Sequence, residues 1–254
     1  MCLILCAHHA HPRYDLVIAA NRDEFLNRPT LPADWWEDHP ELLAGRDLEQ
    51  MGTWMGVTKG GRFACVTNVF DRDPLKQKAP SRGELVSDFL TGDVDLLDYL
   101  DRLARTGPQY NGYNLLFGTP GAVAYISNRG GRPGPLAPGN YGISNHLLDT
   151  PWPKVLKGKE RLAALLRGRE ELPIEELFEL LSDRTVAPDD KLPDVGLPID
   201  LVRESSSIFA DGKKYGTRCS TLAAIDNEGW VTFEERDLRA GTARRYRFRI
   251  DASA

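Results

Sequence analysis

Short apolar runs that arrive in pairs constrain this chain more than any other feature. LILCA and DLVIAAN open the sequence, separated by the polar HHAHPRY. Runs this short suit buried strands joined as a hairpin better than core helices. GTWMGVTKGGRFACVTNVF repeats the arrangement and turns at Lys59, Gly60 and Gly61, where glycine tolerates hairpin backbone. YNLLFGTPGAVAYISN reads as a third hairpin. The C-terminal part reads as β throughout: SSIFAD, TRCSTLAAID, a turn at 227–229, WVTFEERD and ARRYRFRI. PTLPADWWEDHPELLAGRDLEQ and DRDPLKQKAPSRG read as loops, and so does GGRPGPLAPGN, which leads into a short strand at YGISN.

Helices fill the gaps. Ser81 with Glu84 three residues on has the form of a capping box ahead of ELVSDFL. Asp93 is the expected cap of a second helix, with Leu96, Leu97, Leu100 and Leu103 on one face. Amphipathic spacing predicts two more, at 152–167 and 174–181. Antiparallel hairpins alternating with amphipathic helices predict an α+β fold, two mainly antiparallel sheets packed between helix layers. At 254 residues, with no repeat and no long linker, the chain is expected to be one domain spanning 1–254.

Composition narrows the function. A formal net charge of −5 argues against nucleic-acid binding or an anionic membrane surface, both of which reward a basic face. No apolar stretch is long enough to span a bilayer, so stable membrane insertion is not expected. The first residues lack the basic and apolar regions of a signal peptide. Four cysteines without ligand spacing fit free thiols in a reducing compartment, and a cytoplasmic location is expected. His8, His9 and His11 are split between strand faces and lack recurring partners, so no metal is assigned. The Gly-rich runs lack a phosphate-loop pattern and read as turns. ARRYRFRI reads as a strand with a solvated Arg face. No cofactor is expected.

Three features carry chemistry. Cys2 is the first. If Met1 is removed, one residue holds both a thiol and an α-amine, a nucleophile and a base with reference pKa values near 8.5 and 7.7–8.0. Cys2 also fits a small apolar residue at the start of an edge strand. The second is Asn21, Arg22, Asp23 and Glu24 at the end of DLVIAA. On a strand Asn21 and Asp23 share one face, and Arg22 and Glu24 the other. A carboxylate there suits an N-terminal ammonium; a charged strand end turning into solvent is the alternative. The third is Asn68 and Asn145, each closing an apolar run. Their amides suit an oxyanion site, or simple turns.

MCLI, AANRDEFLNRP, GTWMGV, FACVTN, SRGELV, YNLL, GISNHLLDTPWPKV and YGTRCST occur in order over most of the chain. In these segments it resembles the NRDE family, which includes the transport and Golgi organisation protein 2 proteins. The resemblance implies a four-layer αββα sandwich like that of N-terminal nucleophile hydrolases near choloylglycine hydrolase and penicillin acylase. It implies that Cys2 attacks an amide, that Asp23 contacts the amine, and that Asn68 and Asn145 support the oxyanion. Asn21, Trp54 and His146 stand in the matched segments as expected substrate contacts. Those hydrolases carry an Arg three residues before the Asp, where this chain has Ala20. Arg22 and Arg218 are the candidate replacements. The expected partner is a small amide, acyl or lipid-like molecule. A non-catalytic carrier of lipid, acyl-CoA or haem on the same fold is the rival reading, suggested by the association of eukaryotic members with Golgi organisation and secretion.

Overall fold

A computed structural model describes residues 2–70, 74–194, 196 and 198–251. The first sheet has six strands: β1 (Leu3–His8), β2 (Tyr14–Phe25), β10 (Gly139–Ile143), β11 (Tyr215–Asp226), β12 (Trp230–Asp237) and β13 (Thr242–Arg249). Their order is β10-β1-β2-β11-β12-β13. The second sheet has seven: β3 (Thr30–Trp35), β4 (Leu42–Asp47), β5 (Met55–Thr58), β6 (Phe63–Asn68), β7 (Tyr113–Thr119), β8 (Ala122–Ser127) and β9 (Gly134–Pro135), paired in chain order. Neighbouring strands run antiparallel in both sheets. The helices are α1 (Arg82–Thr91), α2 (Leu96–Thr106), α3 (Pro153–Leu166), α4 (Ile174–Leu181) and α5 (Ile199–Glu204). No helix among the described residues is long and apolar enough to cross a membrane.

The strand period of two sorts the apolar residues into layers. Ile4, Cys6, Leu16, Ile18 and Ala20 meet Leu43, Met55, Phe63, Cys65 and Leu116 between the sheets. The odd-numbered set, Leu3, Leu5, Val17 and Ala19, packs instead on Val155, Leu162, Leu177, Phe178 and Val202 of α3, α4 and α5. On the far side, Ala64, Val66, Leu115 and Phe117 meet Leu85, Val86, Phe89, Tyr99 and Leu103 of α1 and α2. The fold is therefore α+β, with helices outside two face-packed antiparallel sheets. Strands buried on both faces explain why LILCA and DLVIAA read as continuous apolar runs rather than alternating ones.

Several local expectations need correction. The Pro- and Trp-containing loop after Asn27 contains β3 and β4; Pro32 is tolerated because β3 is a sheet edge. SSIFAD is not a strand: 205–210 form turns after α5. The cap of α2 is Asp95, whose carboxylate accepts from the amides of Leu97 and Asp98, both at 2.9 Å, so Asp93 lies outside it. That start rotates Leu97 out to solvent and brings Tyr99 into the buried face. Ser81 does cap α1, accepting from the amide of Gly83 at 3.3 Å. β1 lies between β10 and β2, so Cys2 does not begin an edge strand. Residues 71–73 of the loop DRDPLKQKAPSRG lie outside the described residues.

Candidate active site

The polar cluster at the end of β2 is sorted by the strand faces and by one bulge in the neighbouring strand. Asp23 pairs with Thr217 and Arg22 with Cys219, which leaves Arg218 as an extra residue in β11. On a regular strand Thr217 and Cys219 would share a face. The bulge breaks that rule. Thr217 donates its hydroxyl to Asp23 Oδ1 at 2.7 Å, while Cys219 stays opposite Arg22. Asp23 thus follows Val17, Ala19 and Asn21 toward the helices, and Arg22 follows Ile18 and Ala20 into the space between sheets.

Cys2 sits at the mouth of this arrangement, 8% exposed. Its thiol points to the backbone carbonyl of Asp23, Sγ to O 3.8 Å. Tyr215 donates its hydroxyl to the same carbonyl at 3.1 Å. Burial raises the pKa of the Cys2 thiol and acts in the same direction on the Tyr215 phenol. The Cys2 carbonyl accepts from Ser144 Oγ at 2.9 Å, which ties the start of the chain to the segment after β10.

That segment is laced to the end of β6. Thr67 Oγ1 donates to the carbonyl of Ser144 at 2.6 Å, and Asn145 Nδ2 donates to the carbonyl of Asn68 at 2.8 Å. The Asn145 oxygen accepts from Ser144 Oγ at 3.1 Å. Asn145 is therefore buried and committed to the backbone. The side-chain amide of Asn68 makes no hydrogen bond among the described residues and faces an open cavity.

The cavity has a volume of about 310 Å³ and is lined by Cys2, Arg22, Asp23, Asn68, Trp54 and Arg82 among others. Gly52 and Gly83 let the start of α1 approach it closely. A Cβ on Gly52 would lie 2.8 Å from the Gly83 carbonyl carbon, and one on Gly83 2.9 Å from the Thr53 oxygen. This contact brings Arg82 over the cavity. Its Nη1 donates to the carbonyl of Gly112 at 3.2 Å, and burial lowers its pKa while the nearby Cys2 and Glu24 oppose that shift. Arg22 closes the inter-sheet side, 3.1 Å from Asp47 and 3.2 Å from Thr30 Oγ1. Burial pushes the Asp47 carboxyl up, but hydrogen bonds from Arg28 and from the amides of Gln50 and Glu49 outweigh it and hold the pKa low. Beyond Arg22 lies a second cavity of about 230 Å³, lined by Trp54, Arg218, Cys219 and Glu235.

A family model for Transport and Golgi organisation 2 matches residues 1–240. The chain belongs to the Transport and Golgi organisation 2 family. It is 40% identical over 259 residues to a Transport and Golgi organization protein 2 homolog from Bos taurus, covering 94% of this chain and 93% of that protein. Among solved structures it is similar to a penicillin V acylase from Agrobacterium tumefaciens, with a TM-score of 0.54, 12% identity, and coverage of 98% of this chain and 86% of that one. It is also similar to a conjugated bile acid hydrolase from Clostridium perfringens, with a TM-score of 0.50, 8% identity, and coverage of 100% and 99%. At such identity the likeness is one of fold: this member of the Transport and Golgi organisation 2 family has the N-terminal nucleophile hydrolase fold.

The residues singled out from the sequence fall into two groups. Cys2, Arg22, Asp23, Asn68 and Trp54 line one cavity. The others lie elsewhere. Asn21 is fully buried and donates to the carbonyls of Leu181 and Ile208, both at 2.8 Å, fastening β2 to the helix layer. Arg218, expelled by the bulge, donates to the carbonyls of Phe25, Leu26 and Arg28 and so holds the turn after β2. Arg218 lines the second cavity and not the one at Cys2. His146 packs against Trp152 with ring centroids 5.3 Å apart, and burial lowers its pKa. Ala20 is sealed in the inter-sheet core.

Four residues near Cys2 escaped the reading of the sequence: Arg82, Thr217, Tyr215 and Lys154. All four stand inside the matched segments SRGELV, YGTRCST and GISNHLLDTPWPKV, the one signal that pointed toward them. Among the described residues no cluster of three or more His, Cys, Asp or Glu side chains is arranged to hold a metal ion.

Proposed function

We propose that this protein is a cysteine N-terminal nucleophile hydrolase that cleaves a small amide or related acyl compound. The observation that carries the reading is that Cys2, Asp23 and Asn68 line one cavity, at the end of β2 where the two sheets part. Removal of Met1 frees the Cys2 amine. The buried thiol resists ionisation, so its proton needs an acceptor at hand, and an α-amine with a reference pKa of about 7.7–8.0 is suited to that role. Sulfur attacks the carbonyl carbon as the amine takes the thiol proton. The tetrahedral oxyanion accepts from the uncommitted amide of Asn68, a donor of a kind worth about 3–4 kcal/mol when well placed. The ammonium then protonates the departing amine and a thioester remains. Water, deprotonated by the same amine, attacks the thioester and restores Cys2. Asp23, oriented by Thr217, holds the ammonium form.

The test is turnover of an amide panel, from aryloxyacetyl amides to N-acyl amino acids, read by mass spectrometry. A thioester trapped on Cys2 and turnover abolished by Cys2→Ala support the proposal. Absence of both across the panel counts against it.

Two observations favour the carrier reading as the alternative. Ala20 fills the position where the choloylglycine hydrolase branch has an arginine. A larger cavity of about 630 Å³ lies beyond Tyr215, lined by Phe25, Phe70, Val186, Leu201 and Phe209, and suits an apolar chain. Binding of a fatty acyl compound that survives Cys2→Ala without turnover would favour this carrier role.

A further inference from the structure

The positive charge around the Cys2 cavity exceeds what the acids beside it take up. Arg22, Arg28, Lys76 and Arg82 all line it. The first two share the carboxylates. Arg22 lies 3.1 Å from Asp47 and 3.9 Å from Glu24. Arg28 pairs with the same Asp47 and lies 3.9 Å from Glu24 and 3.0 Å from Glu49. Asp23, the remaining acid of the lining, accepts from Thr217 Oγ1 at 2.7 Å.

Arg82 and Lys76 have neutral partners instead. Arg82 Nη1 donates to the carbonyl of Gly112 at 3.2 Å, and Lys76 Nζ donates to the carbonyl of Pro108. Among the described residues neither makes an ion pair. Both are fixed by the backbone around them. Asn111, which lines the same cavity, accepts from the Lys76 amide at 2.8 Å and donates to the Lys76 carbonyl at 3.2 Å. Arg82 opens α1, whose start is pressed against 52–53 at Gly83. Arg82 is partly buried and Lys76 stands exposed at the rim. A guanidinium with one carbonyl partner keeps several donors of its fork unmet, and a carboxylate or phosphate fits that fork through parallel bonds. Burial lowers the Arg82 pKa, and Cys2 is foremost among the groups that oppose the shift. An uncharged ligand would leave this cation dehydrated and unpaired, which costs free energy.

We propose that Arg82, assisted by Lys76, is the anion anchor of the Cys2 cavity, and that the molecule Cys2 attacks carries a carboxylate or phosphate group. Such a molecule is an acyl amide with an anionic substituent, of the N-acyl amino acid kind or the phosphorylated amino-alcohol kind. The cavity, at about 310 Å³, suits a small ligand of this sort. The identity of the substrate rests on the hydrolase reading; the anion site rests only on the cavity that Arg82 and Lys76 share with Cys2.

The test compares two alkylating probes of similar size at Cys2, the anion iodoacetate and the neutral iodoacetamide, by peptide mass spectrometry. Both read the same thiolate, so the ratio of their rates cancels any change in its ionisation. Arg82→Gln is expected to lower the iodoacetate-to-iodoacetamide ratio by about fivefold or more, and Arg82→Lys to keep most of it. A folded Arg82→Gln protein with an unchanged ratio overturns the proposal. Should that variant not fold, the exposed Lys76→Gln decides: a ratio lowered by about twofold supports the site, and an unchanged ratio overturns it. Protection of Cys2 from iodoacetamide then separates the two anions, with N-acetylglycine, N-acetylethanolamine phosphate and neutral N-acetylethanolamine as the competitors. One of the anionic compounds is expected to protect at about tenfold lower concentration than the neutral one, and to lose that advantage in Arg82→Gln. Equal protection by all three would overturn the proposal. Failure of the hydrolase reading leaves these measurements intact, because none of them needs turnover.

Discussion

Cys2 and Cys6 stand four residues apart at the start of the chain, and both thiols are buried. Burial pushes the Cys6 thiol up to about 12, with Asp149 adding to it. Around Cys6 are Ile18 across the strand pair and the apolar inter-sheet core. Around Cys2 are Arg22, Asp23 and Arg82, a backbone carbonyl, and a cavity. Desolvation by itself makes an inert thiol. What separates the two is the polar end of β2, where the apolar repeat of Leu16 to Ala20 gives way to four polar residues and the sheets part.

The largest expected effect follows directly. Cys2→Ala is expected to abolish acyl-enzyme formation and with it turnover, a loss of about 10⁴-fold or more in rate, as loss of a nucleophile causes. Cys6→Ala leaves that rate within about twofold and instead leaves a small void, a loss of about 1 kcal/mol by denaturant titration. Equal effects of the two substitutions on acylation would erase the distinction.

The second contrast is in alkali. Cys6 has its folded pKa raised from 9.0 to about 12. Its contribution to stability is fully present below about pH 9, because neither state ionises there. Between 9 and 12 the unfolded chain releases a proton that the folded chain keeps, so stability falls as pH rises, by at most about 4 kcal/mol. Unfolding curves from pH 8 to 11 are expected to fall less steeply in Cys6→Ala. Parallel curves would mean that Cys6 is solvated.

The two asparagines separate next. Asn68→Ala is expected to slow acylation about 10²–10³-fold with little change in melting temperature. Asn145→Ala is expected to act mainly on stability, by about 1–3 kcal/mol, since it leaves the Asn68 carbonyl without the donor it has from Asn145. A reversal of the two patterns would place the oxyanion at Asn145. The smallest effect is expected for Arg218→Ala, which loosens the turn after β2 for about 1 kcal/mol and leaves Cys2 alkylation unchanged.

Much of this was legible because it depends on local pattern. Paired apolar runs marked β1 with β2 and β5 with β6, and the glycines at 60–61 marked a turn in which Gly61 takes φ 81°. β3 was hidden by Pro32, which only an edge position tolerates, a property of the sheet and not of the segment. The site divides in the same way. Cys2 precedes an apolar run, and Asp23 and Asn68 follow one, so their place toward strand ends could be read. Whether an asparagine amide is spent on a backbone carbonyl, as Asn145 is, depends on a contact 77 residues away. The Arg218 bulge depends on register between β2 and β11, which no spacing within TRCST reveals.

The central claim is that the mature chain begins at Cys2 and that this residue carries the chemistry. Intact-mass analysis of the purified protein, before and after exposure to a chloromethyl ketone probe that alkylates thiols with loss of chloride, tests it most directly. The expected result is a mass lacking Met1 and a single adduct that maps to Cys2. A retained Met1, or an adduct found on Cys219 with Cys2 unmodified, would contradict it.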